Sequence, residues 1–173
     1  MTTLYATKVW CSDETNEGGL DDPYLVVFVG RRAPPPQPFV FSVGPTPNWD
    51  SMESGDKRNW WTKLYQGYSP ANLHLVTMME EDWAKDITGE AQKAVKEWVG
   101  GQYTKFLSTI PNASNQNLAD LLIPVMKQAI DAHAPNDERL STVFVNLGNQ
   151  SSKWAKFEGD GGKYWVEFTT GSP

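Results

Sequence analysis

Two stretches of the sequence gather oxygen donors where apolar segments end. One is Asp13-Glu14-Thr15-Asn16-Glu17-Gly18-Gly19-Leu20-Asp21-Asp22-Pro23-Tyr24; the other is Glu80-Glu81-Asp82-Trp83-Ala84-Lys85-Asp86-Ile87-Thr88-Gly89. Calcium takes roughly six to eight oxygens and tolerates irregular geometry, so carboxylates on loops suit it, and the bound ion relieves their mutual repulsion. Glu80, Asp82 and Asp86 are spaced so that a loop can aim all three at one point. The same residue types also build plain solvated turns, and Asp86 or Thr88 can cap a helix that starts near Gly89.

The elements that must position these runs can be read from hydrophobic periodicity. Leu4–Cys11 alternates loosely, and Tyr24–Val29 is a nearly continuous β-branched and aromatic run suited to a strand covered on both faces. Arg31–Pro38, with Pro34-Pro35-Pro36 inside it, reads as an extended loop before a short strand at Phe39–Val43. Asn48–Arg58 carries no pattern, Trp60–Tyr65 fits a strand or one helical turn, and Leu73–Met79 reads as a strand. The period then changes. Ala91, Val95, Trp98, Val99, Tyr103, Phe106 and Leu107 mark an amphipathic helix with Trp98 in its buried stripe, which Gly100-Gly101 weakens and could split. Leu118, Leu121, Leu122, Val125, Met126, Ala129 and Ile130 mark a second, with Asn115 or Asn117 as N-cap and Pro124 near the first turn or at a kink. Strands return over Leu140–Leu147, Trp154–Glu158 and Tyr164–Thr169, the last two joined by the hairpin signal Gly159-Asp160-Gly161-Gly162. In the last strand Tyr164, Val166 and Phe168 share one face and Trp165 and Glu167 take the other. The expected fold is α+β: a single domain over 1–173, an antiparallel β-sandwich with two added amphipathic helices inserted at about 89–133.

Composition narrows the function. Fifteen Lys plus Arg against 21 Asp plus Glu give a net charge of −6, the wrong sign for nucleic acid and for purely electrostatic attachment to anionic lipid. No run is long enough to span a bilayer as a helix, and Met1–Lys8 lacks the apolar core of a secretory signal. The expected location is therefore cytoplasmic, or leaderless export. Cys11 is the only cysteine, which excludes an intrachain disulfide and a multi-cysteine zinc site. At the close of an apolar strand it reads as a small core residue. His74, between leucines, reads as a satisfied interior or edge histidine, and His133 as a favourable charge at a helix C-terminus. No phosphate loop or nucleophile–base spacing is present, and the expectation is a non-enzyme.

The acidic runs resemble those of the C2 domain, the calcium-dependent phospholipid-binding β-sandwich. Asn16-Glu17-Gly18-Gly19-Leu20-Asp21-Asp22-Pro23-Tyr24-Leu25-Val26-Val27-Phe28 follows the plan of that family's first calcium loop. Asp22 matches its second aspartate, and Asn16 stands where its first is found. Asp13, Glu14 or Glu17 could substitute for that missing aspartate. Glu80-Glu81-Asp82 followed by Asp86-Ile87-Thr88-Gly89 is similar to the other acidic loop, with a shorter spacer. The likeness covers the first half of the chain; the helices from Ala91 to Ala134 depart from it. It implies calcium as cofactor, with Asp22, Glu80, Asp82 and Asp86 as ligands and Asn16, Glu17 and Asp13 as further candidates. It also implies docking on a phospholipid membrane or a protein partner, with Trp83 as the contact residue. Two other readings stand beside it. One is a metal-independent acidic protein that binds or neutralises a basic partner. The other is a carbohydrate-binding sandwich using exposed tryptophan, Trp60-Trp61 being the best pair among the eight Trp.

Overall fold

The computed structural model describes residues 2–15, 21–33, 35–43, 51–80, 89–134, 138–159 and 161–171. In chain order the elements are β1 (Thr3–Asp13), β2 (Pro23–Arg31), β3 (Gln37–Val43), β4 (Lys57–Gln66), β5 (Leu73–Glu80), α1 (Gly89–Thr109), α2 (Asn115–His133), β6 (Glu138–Phe144), β7 (Ser152–Gly159) and β8 (Gly162–Gly171). The strands form two four-stranded sheets, an outer one ordered β4-β1-β8-β7 and a central one ordered β3-β2-β5-β6, with every pairing antiparallel. The fold is the expected α+β sandwich with two helices, and the helices occupy the expected span.

The period of two in β2 explains the layering. Leu25, Val27 and Val29 point into the core between the sheets, where they join Val9, Val76, Phe157, Val166 and Phe168. Tyr24, Val26 and Phe28 point the other way, into a second core with Val95, Val99 and Tyr103 of α1 and Leu118, Leu122 and Met126 of α2. Both β2 and β5 are therefore covered on both faces, as a continuous apolar run requires. The last strand β8 alternates buried and half-buried residues, with Tyr164, Val166 and Phe168 inward and Trp165 and Glu167 outward.

Three details differ from the sequence reading. Gly100-Gly101 does not split α1, and Gly100 sits against β3, where a Cβ would lie 2.7 Å from Cγ of Pro38. Trp98 is 41% exposed rather than buried, since the stripe facing the sheet is Ala91, Val95, Val99 and Tyr103, and Trp98 falls beside it, edge-on to His133. The N-cap of α2 is Ser114, whose Oγ accepts from Asn117 N at 3.1 Å. Asn115 instead donates to the carbonyls of Pro70 and Asn72, both at 3.0 Å, and accepts from Arg32. Pro124 lies within α2, past its first turn. Trp60–Tyr65 resolves as strand, within β4.

Candidate functional site

Strand register decides which acidic residues meet. Pro23 pairs with Glu80, Glu80 with Glu138, Leu25 with Val43, Asp13 with Lys163, and Gly159 with Gly162. The end of β1, the start of β2, the ends of β3 and β5, the start of β6 and the β7–β8 hairpin thus lie at one end of the sandwich. Asp22 stands one residue before β2 and Glu80 is the last residue of β5. The Asp22 main-chain N–H donates to Oε1 of Glu80 at 3.2 Å, which brings the Glu80 carboxylate against the backbone at the start of β2. Glu80 is 4% exposed, unusually low for a carboxylate. Ser51, in a left-handed conformation at φ 58°, donates its N–H to Oδ1 of Asp22 at 2.6 Å.

The remaining expected ligands fall in two groups. Asp13 is exposed, and its carboxylate accepts from Nζ of Lys163 at 3.1 Å, a surface ion pair across β1 and β8. Asn16, Glu17, Asp82 and Asp86, with Trp83, lie outside the described residues. Among the described residues no three His, Cys, Asp or Glu side chains form a group able to hold a metal. Asp22 and Glu80, joined through the Asp22 main chain, carry hard oxygens of the kind calcium takes. They supply only part of a shell, and the rest would have to come from the acidic connections on either side.

Asp21, one residue from Asp22, has a different task. It is 2% exposed and accepts from Thr15 N at 2.9 Å, Thr15 Oγ1 at 2.8 Å and the hydroxyl of Tyr164. The start of β2 is thereby tied to β8 and to the segment after β1. Burial, then the hydrogen bond to the Asp21 carboxylate, push the Tyr164 phenol well above its ordinary range. Gly162 faces this cluster, and a Cβ on it would come within 2.8 Å of Thr15 Cγ2. Cys11 lies in the inter-sheet core nearby, and burial raises its thiol to about 11, far from a reactive thiolate.

A second constellation, on the outer face of the outer sheet, was not assembled by the sequence reading. Lys57 pairs with Trp10, Trp10 with Trp165 and Trp165 with Lys156, forming one row across the sheet. The next row runs Asn59, Lys8, Glu167, Trp154 through the register, with Lys8 bonded to Glu167 at 2.9 Å. Since Val9, Cys11, Tyr164 and Val166 face the core, Trp10 and Trp165 must face out. They line a cleft of about 550 Å³ with Trp154, Lys8, Lys57 and Arg58. Trp61 is 58% exposed on β4, edge-on to Tyr5 at 5.5 Å, so one member of the Trp60-Trp61 pair does face solvent; the side chain of Trp60 lies outside the described set. Outward alternation of Trp165 and Glu167 was the available signal. Only the β1–β8 and β1–β4 pairings bring Trp10 and Lys57 beside it.

No helix among the described residues is long and apolar enough to cross a membrane. No protein-family model matches the chain, and no curated protein matches it in sequence.

Proposed function

We propose that this protein is a non-catalytic binding module, a C2-like sandwich that docks through its acidic end when calcium is bound there. The observation carrying this reading is the contact of Asp22 with Glu80: the Glu80 carboxylate, at the end of β5, accepts from the main chain of Asp22 just before β2, at the end from which both acidic runs depart. Calcium would be held by Asp22 and Glu80 with Asp82, Asp86, Asn16 and Glu17. A bound dication reverses the sign of that end, and an apolar side chain such as Trp83 can then enter a phospholipid surface. Without the ion the same end repels anionic headgroups, consistent with the net charge of −6.

The test is a thermal melt of metal-stripped protein with calcium, and with magnesium as control. At a hundredfold excess over Kd the native state gains about 2.7 kcal/mol, or roughly 5–10 °C for a domain of this size. Asp22→Asn and Glu80→Gln should each remove most of that rise, and vesicles containing phosphatidylserine should sediment wild-type protein only with calcium. No calcium-selective rise would refute the metal reading and leave metal-independent docking on a basic partner. A rise without vesicle binding would move the partner from lipid to protein.

A further inference from the structure

We propose that the cleft on the outer sheet binds a sugar residue bearing a single carboxylate, as in a uronate-containing glycan. This site is separate from the acidic end and does not depend on calcium.

Its walls are of two kinds. The indoles of Trp10, Trp154 and Trp165 supply broad apolar surface, and Trp154 is 42% exposed although it is among the largest apolar side chains in the sequence. The rest is cationic: Lys8, Lys57 and Arg58, with no carboxylate side chain lining the cleft among the described residues. Two of these charges are already answered, Lys8 by Glu167 at 2.9 Å and Arg58 by Asp56 at 2.7 Å. Lys57 is not. Its ammonium lies 4.7 Å from the centroid of the Trp10 ring and has no carboxylate partner among the described residues. A cation–π contact holds that charge over the aromatic floor without neutralising it. The cleft therefore presents flat aromatic surface with one positive charge that no described carboxylate answers, on a chain whose net charge is −6.

A pyranose fits this pairing. Its axial C–H groups make an apolar face that stacks on indole, and its equatorial hydroxyls reach out to polar rims such as the Asn59 amide, which also lines the cleft. A carboxylate at its ring edge would meet Lys57 in a charge-assisted hydrogen bond. The volume of about 550 Å³ lies within the range of small-molecule sites and admits a short oligosaccharide. Single-stranded nucleic acid also stacks on aromatic side chains, but it needs a cationic track for successive phosphates, and one lysine without a carboxylate partner among the described residues, on an acidic protein, does not provide it.

The probe is an oligogalacturonate, titrated into the full chain in the presence of EDTA and followed by tryptophan fluorescence and calorimetry. Saturable binding is expected, lost by at least about tenfold in Trp154→Ala and by about tenfold in Lys57→Met. Both side chains are at the surface of the cleft, and far-UV dichroism and melting temperature should be those of the wild type. A neutral oligosaccharide of the same length should bind more weakly than the uronate to wild type, and equally to wild type and Lys57→Met. Absence of saturable uronate binding overturns the proposal, as does binding that survives Trp154→Ala. Tighter binding of an oligothymidylate than of the uronate would overturn it in favour of nucleic acid.

Discussion

Burial of His74 gives the protein a built-in acid sensitivity. Its ring is fully buried on the sandwich side of β5, stacked at 4.8 Å on Tyr68, and neither ring nitrogen has a hydrogen-bond partner among the described residues. The sequence suggests a satisfied histidine; its neighbours are the rings of Tyr68 and Tyr65 together with the Asn72 main chain, whose polar pull on the ring is outweighed by burial. Burial lowers its pKa from 6.5 to about 4. A depressed histidine pKa means that the unfolded state binds the proton first, so stability is intact above about pH 6.5 and is lost as pH falls toward 4. This one group accounts for about 3 kcal/mol of that loss. Urea unfolding at pH 7 and pH 4 should show the difference shrinking by that amount in His74→Phe, and an unchanged difference would refute the assignment. Asp21 and Asp22 make a second contrast at this scale. Removing the Asp21 carboxylate strands the Tyr164 hydroxyl and both Thr15 donors in a buried site, so Asp21→Ala should cost about 2–4 kcal/mol. Asp22→Ala should cost under about 1 kcal/mol in metal-free protein. Denaturation midpoints measure both, and equal losses would mean the two roles are misassigned. Sequence types and spacing placed both residues in one acidic loop; which one turns inward depends on the distant Tyr164.

At the scale of elements, glycines reveal where α1 meets the central sheet. A Cβ on Gly100 would lie 2.7 Å from the Pro38 ring, while one on Gly101 would meet open space. Helix propensity alone predicts that alanine at either position stabilises α1 by about 1 kcal/mol. The contact reverses the sign at the first: Gly100→Ala should lower the melting temperature and Gly101→Ala should raise it by a few degrees, since the second keeps only the propensity gain. Equal shifts in the two variants would show that the α1–β3 approach does not constrain the helix. Gly30 is a similar case, because the ring of Tyr103 lies where its Cβ would be, at 2.6 Å. The helical stripe Ala91, Val95, Val99, Tyr103 was legible as a period, and the strands were legible as alternation. Trp98 was misread because hydrophobicity and a three-residue step admit it to the stripe, whereas the buried side chains on the sheet-facing side follow the four-residue row Ala91, Val95, Val99, Tyr103, with Gly100 beside it. The glycine pair was ambiguous for a related reason: a glycine kept for close packing and one that merely weakens a helix look the same in one sequence.

Over the whole molecule, the long-range pairings are what the sequence could not supply. Pairing of β1 with β8 joins the two ends of the chain and creates both the Trp10–Trp165 row and the Asp21–Tyr164 tie. The convergence of Asp22 and Glu80 likewise follows from the β2–β5 register and not from either loop. The same topology bears on whether the helices are an appendage to the sandwich. Tyr24, Val26, Phe28, Leu73, Leu75 and Met79 project from the central sheet onto α1 and α2 and are fully buried there. Removing the helices would expose that whole apolar face, at about 25 cal/mol per Å² of surface returned to water, and would leave the aromatic face of β2 open to association. The two cores share β2 and β5 as a common wall, so loss of one removes support from the other. Unfolding should accordingly be a single cooperative transition. The far-UV signal of the helices should melt together with the fluorescence of Trp10, Trp61, Trp154 and Trp165 on the far sheet, and replacing residues 89–133 with a short flexible linker should yield an aggregating chain. A helical transition well below that of the tryptophans, or a soluble helix-deleted sandwich that melts cooperatively, would instead make the sandwich an independent unit to which the helices were added.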